Sequence, residues 1–385
     1  MTDELESVAD AAARAGIRRV HALAWRDLED ETAGGSERHV NELLTRWADA
    51  GLDVVLHAGR VDGRPPIVRR HGVEVRRGGG TIASWAVGAA SVLAHVDRRR
   101  DALVEVWHGV NWLAPLWSRV PTIGIFHHVH TAQFSHVLPA PLASIAQTLE
   151  RRVYPRVYRG RPLIALSNSV RDEMVRQLGW DASAVHVVEP GVAESFVPGT
   201  PSPIPLVVAV GRFMPQKAFG AAVDVLVRAK RDCDALEAIL VGDGPEWDAV
   251  VRKVEDAGAS SWLRLPGRVD DGELLALYQR AWVLLSTSRR EGWGMTVTEA
   301  AACRVPAVAT RITGHVEAVV PGETGILATT VDDLATALVL LLADDTRRAR
   351  MGAAAADHAA QYRWDTTARR VFDVLAAEAE RFWAR

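Results

Sequence analysis

The stretch Ser286-Thr-Ser-Arg-Arg-Glu-Gly-Trp-Gly-Met-Thr-Val-Thr-Glu-Ala-Ala-Ala-Cys303 lies between two short apolar runs, residues 281–285 and 305–309. Both runs predict buried strands, and residues 295–303, which contain no glycine or proline, predict a helix. Strand, loop, helix and strand form a βαβ unit, whose crossover is almost always right-handed. In open α/β sheets ligands bind beyond the carboxyl ends of the strands, where loop 289–294 is expected. The glycines of this loop and the helix N terminus after it favour close binding of a phosphate.

Two carboxylates frame this loop. Glu291 lies in the loop and Glu299 about one turn into the predicted helix, so the pair reads E-x7-E. A loop carboxylate and a helix carboxylate can face one ligand from two sides and accept hydrogen bonds from its hydroxyl groups. That arrangement suits a sugar and a ribose joined by a diphosphate. The same spacing also arises from a solvated loop glutamate followed by an ordinary helix glutamate.

Length and composition indicate a globular protein of two domains. The chain has 385 residues, is 48% hydrophobic and 24% charged, and carries a formal net charge of −3, which gives no basic field for nucleic acid. Its two cysteines exclude a disulfide framework and suit a reducing compartment. The acidic first 20 residues do not resemble a signal peptide, and no apolar run reaches membrane-spanning length. We therefore expect a cytoplasmic protein, and the richness in alanine, arginine and valine favours a bacterial source.

Strands that alternate with helices predict two doubly wound parallel domains. The first occupies residues 1–197. Four prolines in residues 198–205 cannot build a helix or a central strand and mark the boundary. The second domain is predicted at 206–363, and residues 364–385 predict a long final helix.

Two basic side chains follow the first strand of the second domain, in Gly211-Arg-Phe-Met-Pro-Gln-Lys217. Arg212 can bind phosphate oxygens bidentately, and Lys217 supplies a point charge. The alternative is two surface cations in a turn. Gly242-Asp-Gly-Pro-Glu246 follows the next strand and partly matches a phosphate-binding pattern, whereas Asp232-Cys-Asp234 lies at the amino end of the sheet and predicts a surface loop.

The first domain offers two further candidate segments. Gly34-Gly-Ser36 precedes a helix predicted from about residue 37 to 50, with Ser36 as its N-cap, but the G-x-G-x-x-G dinucleotide fingerprint is absent. His127-His-Val-His130 ends an apolar strand. Three histidines at this spacing suggest metal ligands, but no thiol or obvious carboxylate joins them, so we expect no metal site. Neutral histidines at a strand end can instead donate to and accept from sugar hydroxyls.

The motif Glu291-Gly-Trp-Gly-Met-Thr-Val-Thr-Glu299-Ala-Ala-Ala, followed by Pro306 and Gly314, resembles the signature of retaining family-4 glycosyltransferases. The resemblance covers nearly the whole chain and implies the GT-B fold, in which two Rossmann-like doubly wound domains face each other across a cleft and the last helix packs back on the first domain. Two positions depart from the family pattern. Arg304 replaces a usual glycine, and Thr313-Gly-His-Val-Glu317 replaces Gly-x-Pro-Glu.

The resemblance implies an enzyme that moves a sugar, with retention and without a metal or other cofactor, from a UDP- or GDP-linked donor to an acceptor hydroxyl. It implies a hydrogen-bonding role in the reaction for His127, with Glu291 as the second catalytic residue. The implied donor-binding residues are Gly34, Gly35, Arg212, Lys217, Val269, Glu291, Gly292, Trp293, Gly294, Met295, Thr296 and Glu299.

The acceptor is left open among small molecules, glycans and lipid-linked compounds. Arginines within 132–159 are expected to form a solvated face, with an acceptor groove or contact with an anionic membrane surface as the alternatives, and no nucleic-acid partner is expected. Two other functions remain as alternatives: a sugar-nucleotide epimerase of the same fold, and a nucleotide-sugar-binding partner without catalysis. A dehydrogenase is disfavoured because neither glycine-rich loop completes the dinucleotide pattern.

Overall fold

The chain forms two compact α/β units. The computed structural model describes residues 2–80, 83–109 and 111–384. The first unit contains the residues up to Gly191 together with those from Trp364 onward, and the second contains Val192–Arg363.

The first unit is built on an eight-stranded sheet in the order β3-β4-β2-β1-β5-β6-β7-β8. Its strands are β1 (Arg19–Leu23), β2 (Asp53–Ala58), β3 (Ile67–Arg70), β4 (Val73–Arg77), β5 (Asp101–Trp107), β6 (Thr122–Phe126), β7 (Leu163–Ala165) and β8 (Val185–Val187). Its helices up to this point are α1 (Asp3–Ala15), α2 (Gly35–Asp49), α3 (Ser84–His95), α4 (Ala114–Trp117), α5 (Thr131–Val137), α6 (Ala140–Thr148), α7 (Tyr154–Val157) and α8 (Asn168–Leu178). A π-helical turn, Leu149–Val153, joins α6 to α7, and a 3₁₀ turn, Ala182–Ala184, precedes β8.

One edge of this sheet departs from the parallel arrangement that the sequence predicts. β3 pairs antiparallel with β4, whereas the other strand pairs are parallel. The two strands are joined by His71 and Gly72, both of which have positive φ. Two such residues form the tight turn that matches the twist of a hairpin. The segment therefore reverses direction instead of crossing over the sheet.

The second unit has a six-stranded parallel sheet in the order β11-β10-β9-β12-β13-β14. Its strands are β9 (Leu206–Val210), β10 (Glu237–Val241), β11 (Leu263–Gly267), β12 (Val283–Ser286), β13 (Ala307–Thr310) and β14 (Gly325–Ala328). Its helices are α9 (Phe219–Lys230), α10 (Trp247–Asp256), α11 (Asp271–Arg280), α12 (Met295–Ala302), α13 (His315–Ala318), α14 (Val331–Ala343) and α15 (Asp345–Ala359). The predicted strand–loop–helix–strand unit is confirmed as β12, α12 and β13.

The last helix, α16 (Trp364–Trp383), belongs to the first unit and packs on α1 and α2. The Trp47 indole N–H donates to the Ala368 carbonyl at 3.0 Å, and the Trp47 ring meets Phe372 edge to face. These aromatic rings join a core cluster that also contains residues of β1, β2 and β5. The final helix therefore completes the core on one face of the first sheet.

The division between the units comes after Gly191 and not after residue 197. The proline-rich segment 198–205 lies in the second unit because hydrogen bonds hold it there. The Trp282 indole N–H donates to the Ser202 carbonyl at 2.8 Å, and the Ser202 N–H donates to the Arg280 carbonyl at 2.9 Å. Just after the division, the Val192 N–H donates to the Tyr362 carbonyl at 2.8 Å. Among the helices of the described residues, none combines the length and the apolar character needed to cross a membrane.

A buried carboxyl group holds the chain that follows β5. Glu105 accepts hydrogen bonds from the Tyr158 hydroxyl, at 2.6 Å to Oε1 and 2.7 Å to Oε2, and from the backbone N–H of Trp112. Burial raises the pKa of Glu105 to about 7, against the lowering effect of these hydrogen bonds. The Glu105 carboxyl therefore holds its proton in the folded chain at pH values where an exposed glutamate is ionised.

We expect Glu105→Gln to remove one pH-dependent contribution to stability. In the wild type the folded chain holds more protons than the unfolded chain between the ordinary glutamate pKa of 4.5 and about 7. Its free energy of unfolding should therefore fall as the pH rises through this window, by up to about 1.4 kcal/mol per pH unit relative to the variant. Urea unfolding of both proteins from pH 4.5 to 8 measures the difference, and parallel curves would contradict the assignment.

Candidate active site

The loops at the carboxyl edge of the second sheet contain half of the predicted donor-binding residues. Because the strands are parallel, the segments after β9, β10, β12 and β13 all emerge at this edge. They comprise residues 211–218, 242–246, 287–294 and 311–314. β9 and β12 are neighbours in the sheet, so the loop with Arg212 and Lys217 lies beside the loop with Glu291.

An ion pair joins these two neighbouring loops. Lys217 Nζ lies 2.5 Å from Glu291 Oε1, and the Ser288 hydroxyl donates to the same oxygen at 2.8 Å. The two charged side chains are 25% and 14% exposed, respectively. The Arg289 N–H also donates to the Gln216 carbonyl at 2.7 Å. The loops that contain Lys217 and Glu291 are therefore joined by an ion pair and a backbone hydrogen bond.

The surroundings of Glu291 keep its carboxylate ionised. Burial alone would raise the pKa of Glu291, but the Lys217 ammonium, His315 and the hydrogen bonds from Lys217 and Ser288 together lower it below the usual value. A carboxylate that is negative and fixed in position can accept hydrogen bonds from hydroxyl groups of a ligand. Lys217 places a positive charge in the same small region.

The helix α12 begins directly after this loop. Gly294 precedes its first residue in the left-handed region, with φ of 105°, and Met295 and Thr296 form the half-buried first turn. The first N–H groups of a helix lack intrahelical acceptors and lie at its positive dipole end. This helix N terminus thus adds hydrogen-bond donors beside the Lys217–Glu291 pair, as expected for binding an anion.

The other residues of the loop are packed tightly. Gly292 and Trp293 are buried, and the Trp293 ring meets Tyr362 edge to face with 4.9 Å between centroids. Gly314 has φ of 86°, and a Cβ atom there would lie 2.8 Å from the Trp293 nitrogen and 3.0 Å from the Glu291 carbonyl oxygen. Only glycine allows the chain after β13 to pass this close to loop 291–294.

Glu299 lies on α12 and is more enclosed than Glu291. It is 6% exposed, and the Tyr278 hydroxyl donates to its Oε2 at 3.2 Å. Arg212 is half-buried in the loop after β9, and its Nη2 lies 3.6 Å from the Met214 sulfur. Val269 lies after the edge strand β11, on the far side of β9 from the loop that contains Glu291.

The glycines of the loop after β10 have a packing role that the sequence did not indicate. A Cβ atom on Gly242, whose φ is 132°, would lie 1.9 Å from the Gly211 carbonyl oxygen. Next to this contact, the Phe213 ring stacks on Trp247 at 5.3 Å. Close contact between two loops therefore accounts for Gly242 without a phosphate. The segment 232–234 lies between α9 and β10, at the amino end of the sheet, as predicted.

His315 is a site residue that sequence reasoning missed. It is fully buried, its Nδ1 lies 2.9 Å from the Thr310 carbonyl oxygen, and its Nε2 lies 3.3 Å from the Ser286 hydroxyl. A Cβ atom on Gly294 would lie 3.0 Å from the His315 ring, so this ring packs against the turn that starts α12. In the sequence, His315 is marked only by the departure from the family pattern at residues 313–317. That departure does not indicate what the side chain does.

In the first unit, the start of α2 differs from the prediction. The helix begins at Gly35 and not near residue 37, so Ser36 lies in the first turn and is not the N-cap. Glu37 explains the earlier start. Its Oε2 accepts from the Gly34 N–H and from the Ser36 hydroxyl, both at 2.8 Å. The Glu37 side chain thereby pairs the N–H of the N-cap residue Gly34, as the glutamate at the third helical position of a capping box does.

His127 lies directly after β6 and is paired with a histidine from α2. Its Nε2 is 3.2 Å from His39 Nδ1, and the His108 ring stacks on it with 6.1 Å between centroids. Burial lowers the pKa of His39 to about 4, and burial together with neighbouring histidines lowers that of His127 well below the usual value. His39 and His108 were not predicted, because an isolated histidine in a helix or after a strand gives no distinctive pattern.

The three histidines of 127–130 make separate polar contacts. His128 Nε2 lies 3.1 Å from the Gln133 side-chain oxygen, and His130 Nδ1 lies 3.5 Å from Glu150. Across the residues that the structure describes, no group of three histidine, cysteine, aspartate or glutamate side chains is arranged to hold a metal ion.

Two protein families match adjacent parts of the chain. Residues 33–196 match the family described as Glycosyltransferase Family 4, and residues 193–358 match Glycosyl transferases group 1. The border between the two matches falls close to the division between the two units.

Curated relatives and solved structures agree with these matches. The chain is 28% identical to D-inositol 3-phosphate glycosyltransferase 2 of Catenulispora acidiphila, over 95% of each chain. It is 26% identical to glycogen synthase of Mycobacterium tuberculosis, over 93% of this chain and 94% of the relative.

The fold is similar to that of sucrose-phosphate synthase from Thermosynechococcus elongatus, with a TM-score of 0.78, 18% identity and coverage of 92% and 97%. HepE of Anabaena, solved in complex with UDP and glucose, gives a TM-score of 0.73 at 19% identity, with coverage of 94% and 100%. The family matches, the curated relatives and the shared fold together show that the chain is a family-4-like glycosyltransferase of GT-B fold.

Proposed function

We propose that this glycosyltransferase moves a sugar from a UDP- or GDP-linked donor to an acceptor hydroxyl, with retention of configuration and without a metal ion. The observation that carries the proposal is the Lys217–Glu291 pair beside the N terminus of α12. It places a cation, a carboxylate and backbone donors at the ligand-binding edge of a parallel sheet. The cation and the backbone donors suit the diphosphate of a sugar nucleotide, and the carboxylate suits its hydroxyl groups.

The donor diphosphate is assigned to Arg212, Lys217 and the first turn of α12. Negative charge grows on the leaving diphosphate as the bond to the sugar breaks. Fixed cations and helix N–H groups stabilise that charge without having to reorganise. Because two basic side chains and a helix N terminus supply the positive potential, the proposal needs no metal ion.

The sugar and ribose hydroxyls are assigned to the two carboxylates of the motif. Glu291 is ionised and lies at the loop surface of the site, so it is placed at the sugar, together with the backbone of residues 292–296. Glu299, one turn into α12, is placed at the ribose. Val269 is placed near the base, where backbone groups after β11 would make the contacts.

In the first unit, His127 is assigned a hydrogen bond to a sugar hydroxyl, and Gly34 and Gly35 are assigned to a close approach of the backbone to the diphosphate, although the Gly34 N–H itself donates to Glu37. Neutral histidine suits this role because it can donate from one ring nitrogen and accept at the other. For retention, the family resemblance favours a reaction on one face of the sugar, in which the leaving phosphate oxygen takes the acceptor proton. The product would then keep the anomeric configuration of the donor, which the proton coupling at its C1 reports.

Nucleotides should stabilise the protein selectively. Thermal unfolding with UDP, GDP and ADP, and with UDP-glucose, GDP-mannose and ADP-glucose, is expected to show a shift for one base. A ligand at about 100 times its dissociation constant adds roughly 2.7 kcal/mol to stability. The shift should be unchanged by EDTA, because the proposed site holds the diphosphate with side-chain cations.

A shift that EDTA abolishes would contradict the metal-free site, and no shift with any nucleotide would contradict the donor assignment. The two alternative functions are separated by incubation with the stabilising sugar nucleotide. A transferase releases the nucleoside diphosphate as it transfers the sugar to water or to an added alcohol, an epimerase returns an isomeric sugar nucleotide, and a binding protein leaves the compound intact.

Replacing Glu291 with glutamine should lower turnover by about a hundredfold, since a fixed electrostatic contact to the reacting sugar is lost. Release of nucleoside diphosphate from the stabilising sugar nucleotide measures the effect. Glu323→Gln is the matched control, because Glu323 is an exposed glutamate of the same unit. Equal turnover in the two variants would remove Glu291 from the site.

Substitution of Gly314 by alanine should displace loop 291–294 and lower turnover by up to about a hundredfold, because its Cβ would press on the loop backbone. Gly322→Ala is the control that separates displacement of the loop from the strain of an alanine at positive φ. Gly322 has a similar φ of 83°, but a Cβ there would meet nothing within 4 Å. Both variants should lose about 1–2 kcal/mol of stability in urea unfolding, and only Gly314→Ala should lose turnover.

A further inference from the structure

His39 and His127 form a buried pair in the first unit. The proposed function gives a role to His127 and none to His39. His39 is 0% exposed and His127 is 7% exposed. One hydrogen bond of 3.2 Å joins His39 Nδ1 to His127 Nε2, and the rings meet edge to face, with an interplanar angle of 89°. In each ring, one of the two nitrogens is therefore occupied by the hydrogen bond to the other ring.

The two outer nitrogens of the pair are also buried. His39 Nε2 and His127 Nδ1 have no hydrogen-bond partner in the described part of the chain. A buried polar nitrogen is normally paired, so two such atoms on directly bonded side chains are unusual. They indicate a place where a ligand group can donate or accept.

Neighbouring rings hold both imidazoles in place. The His127 ring is stacked on His108 at an interplanar angle of 19°, and the His39 ring lies 5.7 Å from Trp364 on α16. Packing thus restricts the orientation of both rings. The remaining freedom within the pair is the tautomer of each ring. When the shared proton crosses from one ring to the other, the receiving ring releases the proton on its outer nitrogen and the other ring takes one up, so both rings stay neutral.

Burial keeps both imidazoles neutral near pH 7, because it lowers both pKa values. A neutral imidazole carries one N–H, so the pair carries two protons, and one of them occupies the shared bond. If His39 Nδ1 holds the shared proton, His127 Nδ1 is a donor and His39 Nε2 an acceptor. If His127 Nε2 holds it, His127 Nδ1 is an acceptor and His39 Nε2 a donor.

We propose that His39 is a positioning residue for His127, and that their shared proton gives the two outer nitrogens opposite hydrogen-bonding polarity. His127 can then donate to a hydroxyl oxygen or accept from a hydroxyl hydrogen, because His39 takes the complementary state. This inference rests on the proposed function, in which His127 hydrogen-bonds a sugar hydroxyl. It adds that an uncharged hydroxyl is the chemical group that the pair recognises, since a hydroxyl matches either state.

Two substitutions at His39 separate the hydrogen bond from the packing. His39→Asn places an amide near the position of Nδ1 and keeps a polar partner for His127. His39→Phe keeps a ring against Trp364 and removes the hydrogen bond. We expect the phenylalanine variant to lose about tenfold or more in kcat, with the KM for the sugar nucleotide nearly unchanged. The asparagine variant should recover most of that loss.

The ring nitrogen resonances of ¹⁵N-labelled histidine give a readout that does not depend on turnover. They report which nitrogen carries the proton, and the His127 signals are assigned by comparison with His127→Gln. The pattern of His127 should change in His39→Phe and stay closer to wild type in His39→Asn. Thermal unfolding of both variants checks that the first unit remains folded.

An unchanged His127 pattern in His39→Phe would overturn the proposal. So would equal losses of kcat in both variants, or a loss in His39→Asn alone, since packing would then be the role of His39. If the resonances change as expected but wild-type protein never turns over a sugar nucleotide, the proposed function fails while the proton-sharing pair stands. The two claims are therefore tested separately.

Discussion

The ligand edge of the second unit depends on the ion pair between Lys217 and Glu291. Each charge is largely withdrawn from water, so either one without the other would be left poorly compensated. The pair also ties the loop after β9 to the loop after β12, because their strands are neighbours in the sheet. One contact thus sets the separation of two loops and the local balance of charge. Both side chains are therefore held in fixed positions.

The first unit has a different electrostatic character at the residues after β6. Burial lowers the pKa values of His39 and His127, so both are neutral near pH 7, and they hydrogen-bond to each other. Packing from α2 and α16 sets the orientation of the rings. The second unit thus has paired charges at the carboxyl edge of its sheet, whereas the first has uncharged imidazoles after β6.

Much of the fold and the donor motif could be predicted from sequence, because their signals are local. Apolar runs gave the strands of the βαβ unit at 281–309, and the spacing of Glu291 and Glu299 followed from the chain itself. Contacts between distant segments could not be predicted. The pairing of His39 with His127 joins residues 88 positions apart, and the role of Gly242 depends on a loop from another strand.

The first unit is discontinuous in sequence, and the second is inserted between Gly191 and Trp364. Chains are synthesised from the N terminus, and domains generally fold as units during synthesis. The inserted unit has all of its strands and helices before α16 leaves the ribosome. At that stage the first unit still lacks α16, whose residues Trp364 and Phe372 pack in its core and follow the second unit in the chain. The unit whose synthesis starts first therefore cannot complete its core until the chain that follows the second unit has been made.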